Sequence, residues 1–430
     1  MFSFSKKQKA EDRKAVIIGL DGVPCSLLTE YMGKGIMPRF SDIASSGKLL
    51  PMKSTLPEVS SVAWSSFMTG KNPAGHGIFG FMETDRNTYD YQFPNYNSLK
   101  APTFWETLDM PATVFNIPQT YPARPMNGVL VSGFVALDLE KAVYPKKVCD
   151  YLKQTGYRLD VQSALAAKDP EAFFEDLFYT FNKRIEAIQY LYDQKDWKLF
   201  IGTITETDRL HHFFFDSAGS GKHHDIFVKF YRKLDEFLAV MFKKAEDDQA
   251  LFLTCSDHGF TEIETEIYVN RYLMENGFLK LSGGEGLTGI TSDSRAFCLD
   301  PARVYIHQNN RYSRGCVNTA DYERVRTDIK GLFESLRFNN KKAIKKVYFK
   351  EEIFDGPYLD DAPDIYVLGE PGFDLKSPVN RDSTFGLSFF RGAHTYEDAH
   401  MFISDPDIST DVDFSITDIE EIISGYMKKE

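Results

Sequence analysis

The chain has 430 residues, 43% hydrophobic and 26% charged, the proportions of a globular protein with room for two or three domains. Its 50 Lys and Arg face 62 Asp and Glu, a net charge of −12, which excludes the broad basic surface that nucleic acids usually require. An acidic protein that handles phosphate must supply positive charge locally, and bound cations are the usual means.

The N-terminal MFSFSKKQKAEDRK is polar, with no apolar segment of the leader type behind it. Runs such as AVIIGL are far too short to span a bilayer. A cytoplasmic protein without a membrane partner is therefore expected. Cys25, Cys149, Cys255, Cys298 and Cys316 are scattered without CxxC spacing and read as reduced thiols.

The first apolar run, Ala15–Leu20, is unbroken and ends at Asp21-Gly22, the pattern of a strand covered on both faces. Ser60 then opens a predicted helix that Gly70 ends. Glu171–Tyr192 and His224–Lys243 carry apolar stripes at helical spacing and are predicted core helices. Two further buried strands are predicted. Leu199–Thr205 leads into Glu206-Thr207-Asp208, and Leu251–Cys255 leads into Ser256-Asp257-His258-Gly259. Residues 269–389 are less regular and read as an inserted α+β subdomain, because Met401–Ser404 looks like a strand returning to the main sheet. The catalytic core is then 12–268 with 390–430, and the final MKKE reads as a solvated tail.

Three strands that each deliver a carboxylate to one rim would assemble a site from distant sequence, since ligands of open α/β sheets sit beyond the strands' carboxyl ends. A single Asp there is commonly a turn or cap residue, and Ser60 alone is as readily an N-cap as a nucleophile. A serine hydroxyl needs a base or a metal to attack, and no Ser-His-Asp arrangement can be inferred from this sequence. Asp208 and His212 stand four apart, Asp257 and His258 are adjacent, and His394 follows Gly392-Ala393. Carboxylate with imidazole suits zinc, manganese or iron rather than calcium. His223, His224, His307 and His400 read as ordinary core or surface residues, and His211 as packing beside His212. Lys71 and Arg209 stand near the motifs, where a basic side chain could touch a substrate phosphate, but each reads first as a solvated surface charge.

Five motifs occur in order. They are Leu20-Asp21-Gly22; Ser60 through His76-Gly77-Ile78; Asp208 to His212; Ser256-Asp257-His258-Gly259; and Gly392-Ala393-His394. In that order they resemble the alkaline phosphatase superfamily, and within it the type I phosphodiesterase/nucleotide pyrophosphatase family. The resemblance implies an alkaline-phosphatase-like α/β fold, with a mostly parallel central sheet flanked by helices. It further implies two divalent ions, zinc first and manganese or iron as alternatives. Asp208, His212 and His394 would hold one ion, and Asp21, Asp257 and His258 the other, with Ser60 touching a metal. In such sites the ions lie roughly 4 Å apart and clamp the attacking and leaving oxygens. Ser60 would form a covalent phosphoseryl intermediate during cleavage of a phosphodiester or pyrophosphate bond in a small phosphorylated, nucleotide-type substrate.

One departure bears on the substrate. Relatives continue HGI to an Asn that holds a phosphoryl oxygen, where this chain has Phe81. Either another donor replaces it, with Asn95 and Asn97 nearby in sequence, or the leaving group is handled differently; Thr395–His400 reads as a loop variation. A phosphomonoesterase or phosphomutase on the same scaffold is the first alternative. A non-catalytic metal- or nucleotide-binding protein is the second, and the presence of all seven expected site residues argues against it. Sulfatase chemistry is disfavoured, since Ser60-Ser61-Val62 lacks the Pro and Arg of that branch.

Overall fold

The computed structural model describes residues 12–407 and 414–428. The N-terminal segment 1–11 and the last two residues of the MKKE tail lie outside it. Every residue of Ala15–Leu20, Leu199–Ile204 and Leu251–Cys255 is buried, as unbroken apolar runs require. They sit at the heart of an eight-stranded sheet in the order Lys48–Met52, Ala399–Ile403, Leu251–Cys255, Ala15–Leu20, Leu199–Ile204, Ala112–Ile117, Gly128–Ser132, Val143–Tyr144. Adjacent pairs from Leu251–Cys255 through Gly128–Ser132 run parallel. The outer strands on both edges run antiparallel. Ala399–Ile403 brings the C-terminal part of the chain back to the sheet beside Leu251–Cys255.

The two faces of Ala15–Leu20 feed different cores, as strand alternation demands. Val16, Ile18 and Leu20 join Leu177, Phe181, Phe230 and Leu234 from the long helices Pro170–Asp193 and His224–Asp247. Ala15 and Ile17 join Trp64 and Phe67 of the helix Ser60–Thr69 and Ile419 and Ile423 of the helix Asp418–Lys428. This last helix replaces the expected solvated tail: Met427 is buried in the same core, because an apolar residue every three or four positions gives Asp418–Lys428 a face to bury.

A third apolar core, built around Val269, Phe297, Val304, Val347 and Ile365, belongs to the segment read as an insert. It holds a four-stranded sheet in the order Ala296–Leu299, Arg303–Ile306, Ile365–Gly369, Ile344–Phe349, with the helix Tyr322–Glu334 packed on it. The strand Thr265–Tyr268 pairs with Phe373–Lys376 and Phe385–Gly386, tying this part to the core.

Register sets the rim. Ala15 lies opposite both Leu199 and Leu251, so Leu20 pairs with Ile204 and Gly19 with Cys255. The three strands end level, and Asp21, Asp208 and Asp257 leave the sheet on the same edge.

Candidate active site

Each site residue is delivered by one of these strand ends or by a segment tied to it. The helix Ser60–Thr69 begins at Ser60 and stops at Gly70, whose φ of +62° is the left-handed conformation glycine adopts without strain. Asp208 and His212 lie one turn apart on the helix Glu206–Phe214, so both side chains face the rim. The antiparallel pair of Gly259–Glu262 with Gly392–Thr395 sets Phe260 opposite His394 and brings that imidazole against His258, ring centroids 3.5 Å apart. Close approach governs two glycines. A Cβ at Gly22 would lie 2.5 Å from the Phe260 ring, and one at Gly392 would lie 2.5 Å from the His211 carbonyl oxygen.

The seven residues expected from the sequence converge. Ser60 Oγ lies 3.4 Å from Asp21 Oδ1 and 3.2 Å from His258 Nε2. Asp257 Oδ2 is 3.2 Å from His258 Nε2. Asp208 Oδ1 is 3.3 Å from His212 Nε2 and 3.4 Å from His394 Nε2, and those two nitrogens are 3.0 Å apart. The tightest donor groups are Asp21–Asp257–His258 and Asp208–His258–His394, so His258 stands between the two halves of the cluster.

The donor chemistry fits cations. Nδ1 of His212, His258 and His394 faces the backbone carbonyl of Gly392, Gly259 and Glu58 respectively. A carbonyl only accepts, so these Nδ1 atoms donate to it and each ring is held with its Nε2 toward the carboxylates. Three imidazole nitrogens and three carboxylates converging in this way are the donor set that binds a divalent transition-metal ion. Asp208 Oδ1 and Asp257 Oδ2 are buried without a hydrogen-bond partner among the described residues, one in each half of the cluster. Burial and the neighbouring carboxylates of Asp257 and Asp208 raise the Asp21 pKa well above the ordinary range. Burial likewise pushes Asp257 up to about 7. Burial also works against the Asp208 anion, but His212, His394 and Arg209 together outweigh it and hold that carboxyl low. Burial lowers the His258 pKa well below the ordinary imidazole range.

The surrounding shell holds residues that the sequence reading passed over. Trp64 Nε1 donates to Asp21 Oδ2 at 3.0 Å, and the Gly22 N–H donates to Asp257 Oδ1 at 2.9 Å. Arg209 is not a solvated charge. Its side chain is 12% exposed, donates to Asp208 Oδ2 at 2.9 Å and grips both oxygens of Asp160. It lies over the Phe134 ring, and Phe81 meets that ring edge-to-face. One position along a helix from a ligand decides whether a basic side chain faces the site or solvent, and spacing alone did not reveal which. Asn95 and Asn97 do not take the role of the missing Asn: Asn95 caps the turn at Tyr96–Ser98, and Asn97 is exposed and accepts from Arg124. Arg209 and Phe81 are what border Ser60 and the cluster instead.

The remaining histidines are structural. Both ring nitrogens of His211 are used, by the Gly22 carbonyl and the Tyr231 hydroxyl. His76 bonds Ser66 Oγ and the Ile78 N–H, and His400 meets the Val23 carbonyl. His307 lies between Tyr89 and the Ser294 carbonyl, His224 meets the Ser217 carbonyl, and His223 packs on Phe174 and Phe214. Lys71 is exposed, away from the cluster. No helix among the described residues is long and apolar enough to cross a membrane.

Comparison with known proteins matches residues 15–397 to the family described as type I phosphodiesterase/nucleotide pyrophosphatase. Comparison with curated protein sequences gave no match. Among solved structures, phosphonoacetate hydrolase from Sinorhizobium meliloti 1021 in complex with phosphonoformate aligns with TM-score 0.66 and 17% identity, over 97% of this chain and 96% of that one. Murine ectonucleotide pyrophosphatase/phosphodiesterase 5 aligns with TM-score 0.56 and 14% identity, over 96% and 95%. An inactive variant of the murine protein in complex with AMP aligns equally well. At these identities the likeness is one of fold, and the fold is that of the alkaline phosphatase superfamily.

Proposed function

We propose, from the premise that the chain belongs to the type I phosphodiesterase/nucleotide pyrophosphatase family, that this member is a two-metal hydrolase of phosphodiester or pyrophosphate bonds with Ser60 as its nucleophile. The observation that carries the reading is the pair of orphaned buried carboxylate oxygens, Asp208 Oδ1 and Asp257 Oδ2, each facing imidazole Nε2 atoms around Ser60. Asp208, His212 and His394 would hold one ion; Asp21, Asp257 and His258 would hold the other, with zinc first and manganese or iron as alternatives. Bound there, the ions would lower the pKa of the serine hydroxyl and offset charge on the phosphoryl oxygens.

The chain's own residues supply the rest. Ser60 Oγ, at the start of a helix whose dipole favours an anion, attacks phosphorus. The Ser60–O–P bond forms as the bond to the leaving oxygen breaks, and that oxygen leaves with a proton. Water then attacks the phosphoserine, releases phosphate or its monoester, and returns Ser60 to its hydroxyl form. Arg209 holds Asp208 by one oxygen, so the other faces His212 and His394. Residues 269–389 form the inserted subdomain in this reading, supported by an apolar core that they supply almost entirely, with Leu56, Tyr89 and Ile267 joining it. A reducing, cytoplasmic setting is supported by five unpaired cysteines.

The test is turnover of a nitrophenyl phosphodiester beside the matching monoester by metal-stripped protein refilled with zinc or manganese. Preference for the diester is expected. Ser60→Ala should reduce turnover at least about a thousandfold while leaving metal binding intact; wild-type turnover in that variant would sink the covalent route. Preference for the monoester would move the assignment to a phosphatase or mutase.

A further inference from the structure

A cavity of about 1060 Å³ opens directly from the cluster, with Phe81, Phe134, Arg209, His212 and His394 lining both. Whatever is esterified to a phosphate at Ser60 must extend into it. Aromatic side chains line much of it: Phe81 and Phe134 meet edge-to-face beside the cluster, and Phe213 stacks on Phe390 at 5.5 Å. The basic residues lining the cavity are Arg209, Lys345 and Lys376, and all three are already ion-paired, with Asp160 and Asp208, with Glu397 and with Asp374. Seven acidic side chains line it against these three. A substituent with further phosphates would enter a region of its own sign, with no free Lys or Arg among the described residues that line it.

The mouth adds a second, independent observation. Among the described residues the four most exposed large apolar side chains are Leu137 at 87%, Phe93 at 68%, Leu387 at 63% and Phe389 at 48%. Leu137 and Phe93 line the cavity, Phe389 stacks on Phe213 of its wall, and Leu387 lies two residues before Phe389. Apolar groups this exposed oppose solubility, and their gathering at one opening marks a surface with an apolar counterpart.

Resting on the phosphoesterase reading above, we propose that the substituent is a hydrocarbon chain: the substrates are phosphoesters of hydrophobic alcohols, admitted through the Phe93–Leu137–Phe389 rim. The occupant is fixed at one end by the reacting phosphate, is uncharged along the cavity, and leaves past an apolar mouth. Substrate of this kind resides either in a lipid surface or as a dispersed amphiphile.

The experiment is a series of alkyl nitrophenyl phosphodiesters, methyl to octyl, with the thymidine nitrophenyl ester beside them, on zinc-reconstituted protein below the micellar range. Because each added methylene leaves water, kcat/KM should rise by about tenfold or more from methyl to octyl, and the octyl ester should exceed the thymidine ester. Turnover of the methyl ester with no rise along the series, or with the thymidine ester ahead, overturns the hydrocarbon assignment and leaves the reaction standing. No turnover of any ester overturns the reaction and the assignment together. Phe93→Asp with Leu137→Asp, at exposed positions that folding tolerates, should lower the octyl-to-methyl ratio severalfold; an unchanged ratio counts against the rim. Presenting the octyl ester in phosphatidylcholine vesicles separates the sources. A faster rate there supports a lipid surface, and a faster rate free in solution supports a dispersed amphiphile.

Discussion

Trp64→Phe should weaken one metal ion and spare the other. Trp64 is fully buried on the first turns of the Ser60 helix, and its indole N–H donates to Asp21 Oδ2 at 3.0 Å. Phenylalanine keeps much of the ring that packs edge-to-face on Phe67 and removes only the donor. A hydrogen bond to a charged group contributes about 1.5–3 kcal/mol. Partners that orient a metal ligand are worth about 10–100-fold in affinity. The two ranges agree, since tenfold is about 1.4 kcal/mol. The ion beside Asp21, Asp257 and His258 should therefore bind about 10–100-fold more weakly, while the one beside Asp208, His212 and His394 keeps its wild-type affinity. The pH dependence has a definite sign. Burial already raises the Asp21 pKa, and the Trp64 donor pulls it down. Without that donor the carboxyl holds its proton to higher pH, so the deficit should be larger at pH 6 than at pH 8. Competition of metal-stripped protein with a chromogenic chelator, fitted to two sites, measures both affinities. Two unchanged affinities, or two that fall equally, would refute the assignment of Asp21 to one ion.

Arg209→Met leaves Asp208 Oδ2 and both Asp160 oxygens without their guanidinium, and steady-state kinetics should register a loss of about 100-fold in kcat/KM. Arg209→Lys should recover little of it, because an ammonium cannot span two carboxylates; full recovery would reduce Arg209 to a simple charge. His400 is buried, and its pKa is lowered by burial to about 4 from an ordinary 6.5. Its share of stability is complete above pH 6.5 and is lost as pH falls toward 4, about 2 kcal/mol by pH 5. His400→Asn should lose about that much less between pH 7 and pH 5 in urea unfolding, and parallel losses would contradict the buried neutral imidazole. Chelation should lower the melting temperature, since an ion at a hundred times its Kd adds about 2.7 kcal/mol; a melting curve indifferent to chelator would speak against resident metal.

The sheet was legible in the sequence where it is buried on both faces. Ala15–Leu20, Leu199–Ile204 and Leu251–Cys255 announce themselves as unbroken apolar runs, and the two 24-residue helices by their stripes. Ala112–Ile117 and Gly128–Ser132 went unread, although both are parallel strands, because Thr113, Asn116 and the loop between them dilute the apolar signal. The site was legible through spacing and order: the seven residues named from the five motifs lie within one cluster. Arg209 was misread, because a basic residue between two ligands carries no mark of the face it will occupy until Asp160 is brought to it from 49 positions away.

What the sequence determined by itself is local: strand and helix identity, the caps, and the residue types able to bind a cation, all set by periodicity and side-chain chemistry over a few residues. What only the tertiary structure decided is long-range. The level register of three strands, the pairing of Phe260 with His394, and the helix at Asp418–Lys428 each depend on segments far apart in the chain. So do the two orphaned carboxylate oxygens and the apolar mouth beyond them. Burial and apposition are properties of the packed chain, and no window of sequence contains them.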